Sequence, residues 1–185
     1  MKSTGFNKSA VICLAAGRSQ EQLIAKAKSF GYVVIAIDQD REAPGFKCAD
    51  IKIFQSTHDA DAIIKELELL NDEYRWIGVL NRSSGPPVIT AAKICKHFNI
   101  PSVPIESAKT LVNKDKLRTA CLEHDIPSPK FRIYDIDKCD VAYSDEFPVV
   151  VKPALSLVGK SGISVVRSKN ELKSSINYAI TNTIN

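Results

Sequence analysis

The chain has 185 residues, 44% hydrophobic and 25% charged, a mixture that excludes whole-chain disorder. Its longest apolar run, residues 10–16, is far short of the ~18 residues a helix needs to cross a bilayer. The net charge of +4 is spread evenly, with 13 basic and 11 acidic side chains in residues 1–100 and 12 and 10 in residues 101–185. No basic stripe of the kind a nucleic-acid binder concentrates is present, so neither nucleic acid nor membrane is an expected partner.

Residues 1–9 are polar and lack the apolar core of a signal peptide. Residues 10–16 read as a buried strand ending at Gly17. A helical pattern follows, with Leu23, Ile24, Ala27 and Phe30 on one face and Gly31 as its stop. Residues 32–37 are a second buried strand, with Asp38 at its exit, and residues 51–54 a short third one after Cys48-Ala49-Asp50. Residues 59–70 are helical, with Ile63, Ile64, Leu67 and Leu70 at helix spacing, and residues 76–80 are a fourth strand. Pro86 and Pro87 open a further helix, where a missing N–H costs nothing. Short apolar strands alternating with helices predict a parallel sheet covered on both faces, and residues 8–105 are expected to form this first, Rossmann-like α/β domain.

Residues 106–185 read as α+β. A helix is expected over residues 107–124 with Ser107 as its cap, then strands over 130–134, 148–152 and 163–166. Ser168 and Glu171 match a capping box that starts a last helix. This second region reads as incomplete, since no closing strands follow.

Five cysteines, Cys13, Cys48, Cys95, Cys121 and Cys139, form no C-x-x-C pair and lie mostly in apolar segments. Free thiols in a reducing, cytoplasmic compartment are expected, without disulfide or zinc. Cys121, near Leu117 and Leu122, reads as core. His58, His97 and His124 have no metal-ligand spacing; the last two read as helix-end residues favoured by the dipole.

The segment most suggestive of chemistry is Pro148-Val149-Val150-Val151-Lys152-Pro153 with the loop that follows, carrying Gly159, Lys160, Ser161 and Gly162. Three valines argue for a buried strand. A lysine at its end is costly unless it meets an anion, and the proline stops the ladder. Strand, lysine, small-residue loop and strand suit a phosphate cradle; a plain hairpin whose lysine reaches solvent suits them equally. Asn113-Lys114-Asp115-Lys116-Leu117-Arg118 by itself reads as a solvated helix face. Gly17-Arg18-Ser19 opens a helix after the first strand, a place where anions bind, but lacks the G-x-G-x-x-G of dinucleotide folds. Asp38 reads as a turn acid, and residues 81–85 as a polar loop at a strand's C-terminal end, where α/β proteins bind ligands.

Taken in order, Lys-Asp-Lys-Leu-Arg at 114–118, a helix, Ile-Pro-Ser-Pro at 126–129, Pro-Val-Val-Val-Lys-Pro at 148–153 and a glycine-bearing loop resemble the ATP-grasp superfamily. Its members include biotin carboxylase, the large subunit of carbamoyl-phosphate synthetase, D-alanine–D-alanine ligase and purine-pathway carboxylate–amine ligases. The resemblance spans nearly the whole chain and implies a preATP-grasp domain at 8–105, then the first part of an ATP-grasp domain at 106–185. It implies ATP and Mg²⁺ as cofactors and a small carboxylate or bicarbonate as substrate, activated as an acyl-phosphate and attacked by an amine or another nucleophile. Lys116 and Lys152 then match phosphate-contacting lysines, and Gly159, Ser161 and Gly162 match the lid over the phosphates. Gly17 and Arg18 match the loop facing the second substrate. The adenine hinge, the Mg²⁺ ligands and an Arg that contacts the substrate are then expected in a C-terminal part beyond this sequence, and the isolated chain is expected to be inactive. The alternative is a non-catalytic nucleotide-binding or interaction module, with a second copy or a separate C-terminal half as its partner.

Overall fold

The computed structural model describes residues 8–134, 146–156 and 161–183. These divide into two compact units, one up to Ala108 and the other from Lys109; the expected domain boundary at 105/106 lies three residues earlier.

The first unit runs β1 (Lys8–Leu14), α1 (Arg18–Ser29), β2 (Val33–Ile37), a 3-10 turn (Pro44–Lys47), β3 (Ile51–Ile53), α2 (Ala60–Glu68), β4 (Tyr74–Asn81) and α3 (Pro86–His97). The strands form one sheet in the order β3-β2-β1-β4, and every pairing is parallel. The α/β expectation is met, and the physical reason is visible in β1. Its residues 10–14 are all buried because both faces of the strand are covered. Ala10, Ile12 and Leu14 pack with Ile35, Ile37, Ile63, Leu67 and Ile94, from β2, α2 and α3. Val11 and Cys13 pack with Ile24, Ala27, Val34, Ala36 and Phe46, from α1, β2 and the 3-10 turn. Each fully buried Ile or Leu contributes about 1.5–3 kcal/mol.

Two local expectations are corrected. β1 stops at Leu14 rather than residue 16, because Ala15 takes a left-handed conformation, φ 70°. Phe30 does not join the apolar face of α1. It caps the C-terminus, 67% exposed, with the Lys26 ammonium 4.6 Å over its ring, and Gln20 takes a buried place instead. Gly31, φ 84°, ends the helix as expected.

α4 (Ile105–Val112) spans the division between the units. The second unit continues with α5 (Lys114–Glu123), β5 (Val149–Val151), β6 (Ser164–Val166) and α6 (Lys169–Thr181). The single helix expected over 107–124 is in fact two. Asn113 breaks it, its side chain accepting from the Asp115 N–H at 3.2 Å as the α5 cap, while Ser107 lies inside α4. Residues 130–134 form no strand. β5 and β6 are an antiparallel pair packed on α6, where Val166, Leu172 and Ala179 are buried. The valine run is not a fully buried strand: Val150 faces outward opposite Val165, 57% and 52% exposed. Nor is Cys121 in a core, since α5 has no buried residue and Leu122 is 71% exposed. The capping box closes differently too: Glu171 accepts from the Arg167 N–H and the Ser168 hydroxyl, which hold its carboxyl below its ordinary value.

Candidate functional site

In the first unit the chain crosses from β1 to β2 on one side and reaches β4 on the other, so the topological switch point lies between β1 and β4. Ligands of open α/β sheets bind there, outside the strands' C-terminal ends. The loop leaving β1 is held by three bonds. Ala15 N–H donates to Ile37 O at 2.8 Å and Ala16 N–H to Asp38 Oδ2 at 2.8 Å, while Ala16 O accepts from Gly45 N–H at 2.6 Å. These bonds hold Ala15 at its positive φ, a conformation costing a non-glycine residue about 1 kcal/mol or more. Asp38 is thus a turn acid, its other oxygen accepting from Asp40 N–H at 3.0 Å.

Gly17 is the α1 cap residue, in ordinary extended backbone and without a side-chain bond to the helix; Arg18 follows it, exposed. A second loop, from β4, is stitched to this one. Arg82 Nη1 donates to Ser19 O at 2.6 Å, and the buried Gln20 donates to Ser83 Oγ at 3.4 Å. The starts of the two helices that follow these loops differ. α3 begins with Pro86 and Pro87, which have no N–H to offer, whereas α1 opens with ordinary residues. The positive end of α1, beside Arg18 and Arg82, is therefore the anion-attracting side of this edge.

In the second unit Lys152 leaves β5 exposed, so the burial argument does not apply to it. It applies to Lys114, which sequence reasoning passed over. Once Asn113 is the cap, Lys114 is the first residue of α5. Its N–H donates to Ala154 O at 2.9 Å and its Nζ reaches the same oxygen at 3.5 Å. Burial pulls its ammonium below the usual lysine range, and the charge of Lys152 pulls it further. The positive end of α5 opposes a cation there as well. Among the described residues neither lysine has a carboxylate partner. The signal that finds Lys114 in the sequence is the Asn cap immediately before it.

Lys116, the residue taken from the resemblance, lies elsewhere in this unit. It lines a shallow groove of about 290 Å³ with Thr110, Asp115, Thr119, Ala120 and Glu123, and its backbone N–H donates to Asp115 Oδ1 at 2.6 Å. Ser161 and Gly162 lie at the foot of β6. The Ser161 hydroxyl donates to Asn182 Oδ1, and Gly162 is buried at φ 73°. Gly159 lies outside the described residues, as does Cys139. Cys13, Cys48, Cys95 and Cys121 are free thiols, and burial pushes Cys13 up to about 12. His97 ends α3 and meets Glu68 at 3.0 Å. Among the described residues no three His, Cys, Asp or Glu side chains gather as a metal site, and no helix is long and apolar enough to cross a membrane.

No family model matches the sequence. The chain is 29% identical over 187 residues to the formate-dependent phosphoribosylglycinamide formyltransferase of Prochlorococcus marinus subsp. pastoris, covering 99% of this chain and 46% of that protein. Its fold matches the crystal structure of an L-amino acid ligase from Bacillus licheniformis, with a TM-score of 0.70 and 18% identity over 92% of this chain and 42% of that one. It also matches N5-carboxyaminoimidazole synthetase from Staphylococcus aureus, solved with ADP, with a TM-score of 0.63 and 17% identity over 98% of this chain and 48% of that one. The chain thus spans about half the length of the proteins it matches. These neighbours are ATP-grasp ligases, and the chain has the fold of their N-terminal part, as the order of its motifs implied.

Proposed function

We propose that the chain is the N-terminal part of an ATP-dependent ligase in which Lys114 and Lys152 grip the nucleotide's phosphates. The observation that carries this reading is the half-buried Lys114 at the positive end of α5, its Nζ 3.5 Å from the Ala154 carbonyl and its ammonium opposed by the charge of Lys152, neither lysine having a carboxylate partner among the described residues. An ammonium that burial, a neighbouring lysine and a helix dipole all oppose is offset by an anion, and a polyphosphate supplies one. Bound ATP would supply the phosphoryl group that activates a carboxylate or bicarbonate. The lysines would offset charge on the phosphates. The C-terminal edge of the β1–β4 sheet, with Gly17 and Arg18, would take the second substrate. Formate enters as a candidate carboxylate from the name of the 29%-identical relative. The described residues do not supply a magnesium cage, so no step is assigned to a metal held by them. Lys116 would be a further phosphate contact and Gly159, Ser161 and Gly162 the lid over the phosphates, as the resemblance implies, with Ser161 serving the lid through its backbone.

Titration calorimetry with Mg·ATP tests this on the parent chain and on Lys114→Ala, Lys152→Ala and Lys116→Ala. Loss of one charge-assisted phosphate bond is worth about 1.5–3 kcal/mol, so the first two substitutions should each weaken binding tenfold or more. Absence of binding at millimolar nucleotide sinks the reading. Equal loss in all three variants extends the site to Lys116, and an effect of Lys116→Ala alone removes Lys114 from it. ADP release in the presence of formate or bicarbonate separates a ligase from a module that only binds.

A further inference from the structure

We propose that Asn182 is a positioning residue: it anchors Ser161 and Gly162 beside the residue that follows Lys152, so that the Ser161 hydroxyl is spent on Asn182 and not on a phosphate. The inference deepens, and rests on, the nucleotide reading above. Asn182 is the residue that caps the C-terminus of α6, its own N–H donating to Ala179 O at 3.2 Å. Its carboxamide can point only one way. Nδ2 donates to Tyr178 O at 2.8 Å and to Thr181 Oγ1 at 3.3 Å, both acceptors at the helix end, which leaves Oδ1 to receive the Ser161 hydroxyl. A hydroxyl has one proton, and an ionised phosphate needs donors, so Ser161 engaged in this way is an anchor.

Gly162 adds a second contact. A Cβ there would lie 2.8 Å from Asn182 Cβ and 3.1 Å from Pro153 Cγ and Cδ. The backbone therefore runs close between the end of α6 and the proline after Lys152, at a positive φ that a side chain would oppose in any case. On the other side, Ala154 is bonded to the start of α5 through Lys114. Of the residues after Lys152, Ala154 is thus bonded to one helix at its start, and Pro153 lies against the Gly162 backbone that Asn182 holds at the end of another.

The test compares Asn182→Ala, Asn182→Asp, Ser161→Ala and the double variant with Thr183→Ala. The last removes the Thr183 hydroxyl bond to Ala179 O, 2.9 Å, at the same helix end without touching Ser161. Hydrogen exchange on the nucleotide-free chain should rise about tenfold or more at residues 161–163 in both Asn182 variants and stay unchanged in Thr183→Ala. Asn182→Asp should fail like alanine, because a carboxylate cannot donate to Tyr178 O. Mg·ATP affinity should fall about fivefold in Ser161→Ala and in Asn182→Ala, the size of one ordinary hydrogen bond, with no further loss in the double variant. Unchanged exchange in the Asn182 variants, an equal rise in Thr183→Ala, or additive losses of affinity would overturn the proposal. So would a loss confined to Ser161→Ala, which would mark a direct phosphate contact. If the parent chain binds no nucleotide, the nucleotide reading falls and with it the role of the anchor in binding; the exchange result then decides the anchor alone.

Discussion

Gly45 and Gly78 lie in the same unit and make opposite predictions. A Cβ on Gly45 would lie 2.6 Å from Ala16 O and 2.8 Å from Ile24 Cδ1, nearer than real Cβ contacts come. The 3-10 turn must therefore back away from the β1–α1 loop. That movement breaks the 2.6 Å bond from Gly45 N–H to Ala16 O, about 1 kcal/mol, and overpacks the core at Ile24, about 1–3 kcal/mol more. Reduced freedom of the unfolded chain returns about 0.4–1 kcal/mol. Gly45→Ala should therefore cost about 2–3 kcal/mol net. At about 4–8 °C per kcal/mol for a unit of this size, the midpoint should fall by roughly 10–20 °C. Gly78, on β4, has nothing within 4 Å of its Cβ position, so Gly78→Ala should be neutral or stabilise by up to about 1 kcal/mol. The only tryptophan, Trp76, sits on β4 against the Tyr74 and Phe98 rings, so its fluorescence during urea unfolding reports on this unit. A Gly45→Ala loss under about 0.5 kcal/mol, or a larger loss from Gly78→Ala, would refute the packing argument.

Three further outcomes follow from the second unit and the sheet. Because Lys114 is held below its ordinary 10.5 in the fold, the unfolded chain binds the extra proton in the window between the two values, and stability should rise with pH across it; Lys114→Met should abolish that rise in a pH series of melts while weakening Mg·ATP binding. Asn113→Ala removes the cap that separates α4 from α5 and should cost about 1 kcal/mol, read as a lower midpoint by far-ultraviolet circular dichroism. Burial raises the Asp50 carboxyl, but the 2.7 Å Lys28 contact and the Val34 N–H bond at 3.0 Å outweigh it and hold the group below 3.8. Its contribution is therefore present above pH ~4 and lost as pH falls through the folded value. Asp50→Asn should lower the midpoint at neutral pH by a few degrees and flatten the acid limb, and an unchanged limb would refute the pairing.

The alternation of short apolar strands with capped helices was enough to read the first unit, because parallel strands buried on both faces leave an unbroken apolar run and each helix leaves its own stop signal. Gly31, Pro86 and Asp59 mark helix ends through local backbone chemistry, and local chemistry survives without knowledge of the fold. The order of motifs from residue 114 to residue 162 likewise carried the resemblance that the neighbours' fold supports. What the sequence could not decide was which of two lysines, two residues apart on one helix, reaches the chain just after Lys152. Asn113 settles that by breaking the helix, so that Lys114 meets the Ala154 carbonyl while Lys116 faces a groove with its own carboxylates. Nor does any local pattern show that Arg82 reaches Ser19 or that Asn182 reaches Ser161, 63 and 21 residues apart. Such contacts depend on where strands and helix ends come to rest, and only the packed chain brings them together.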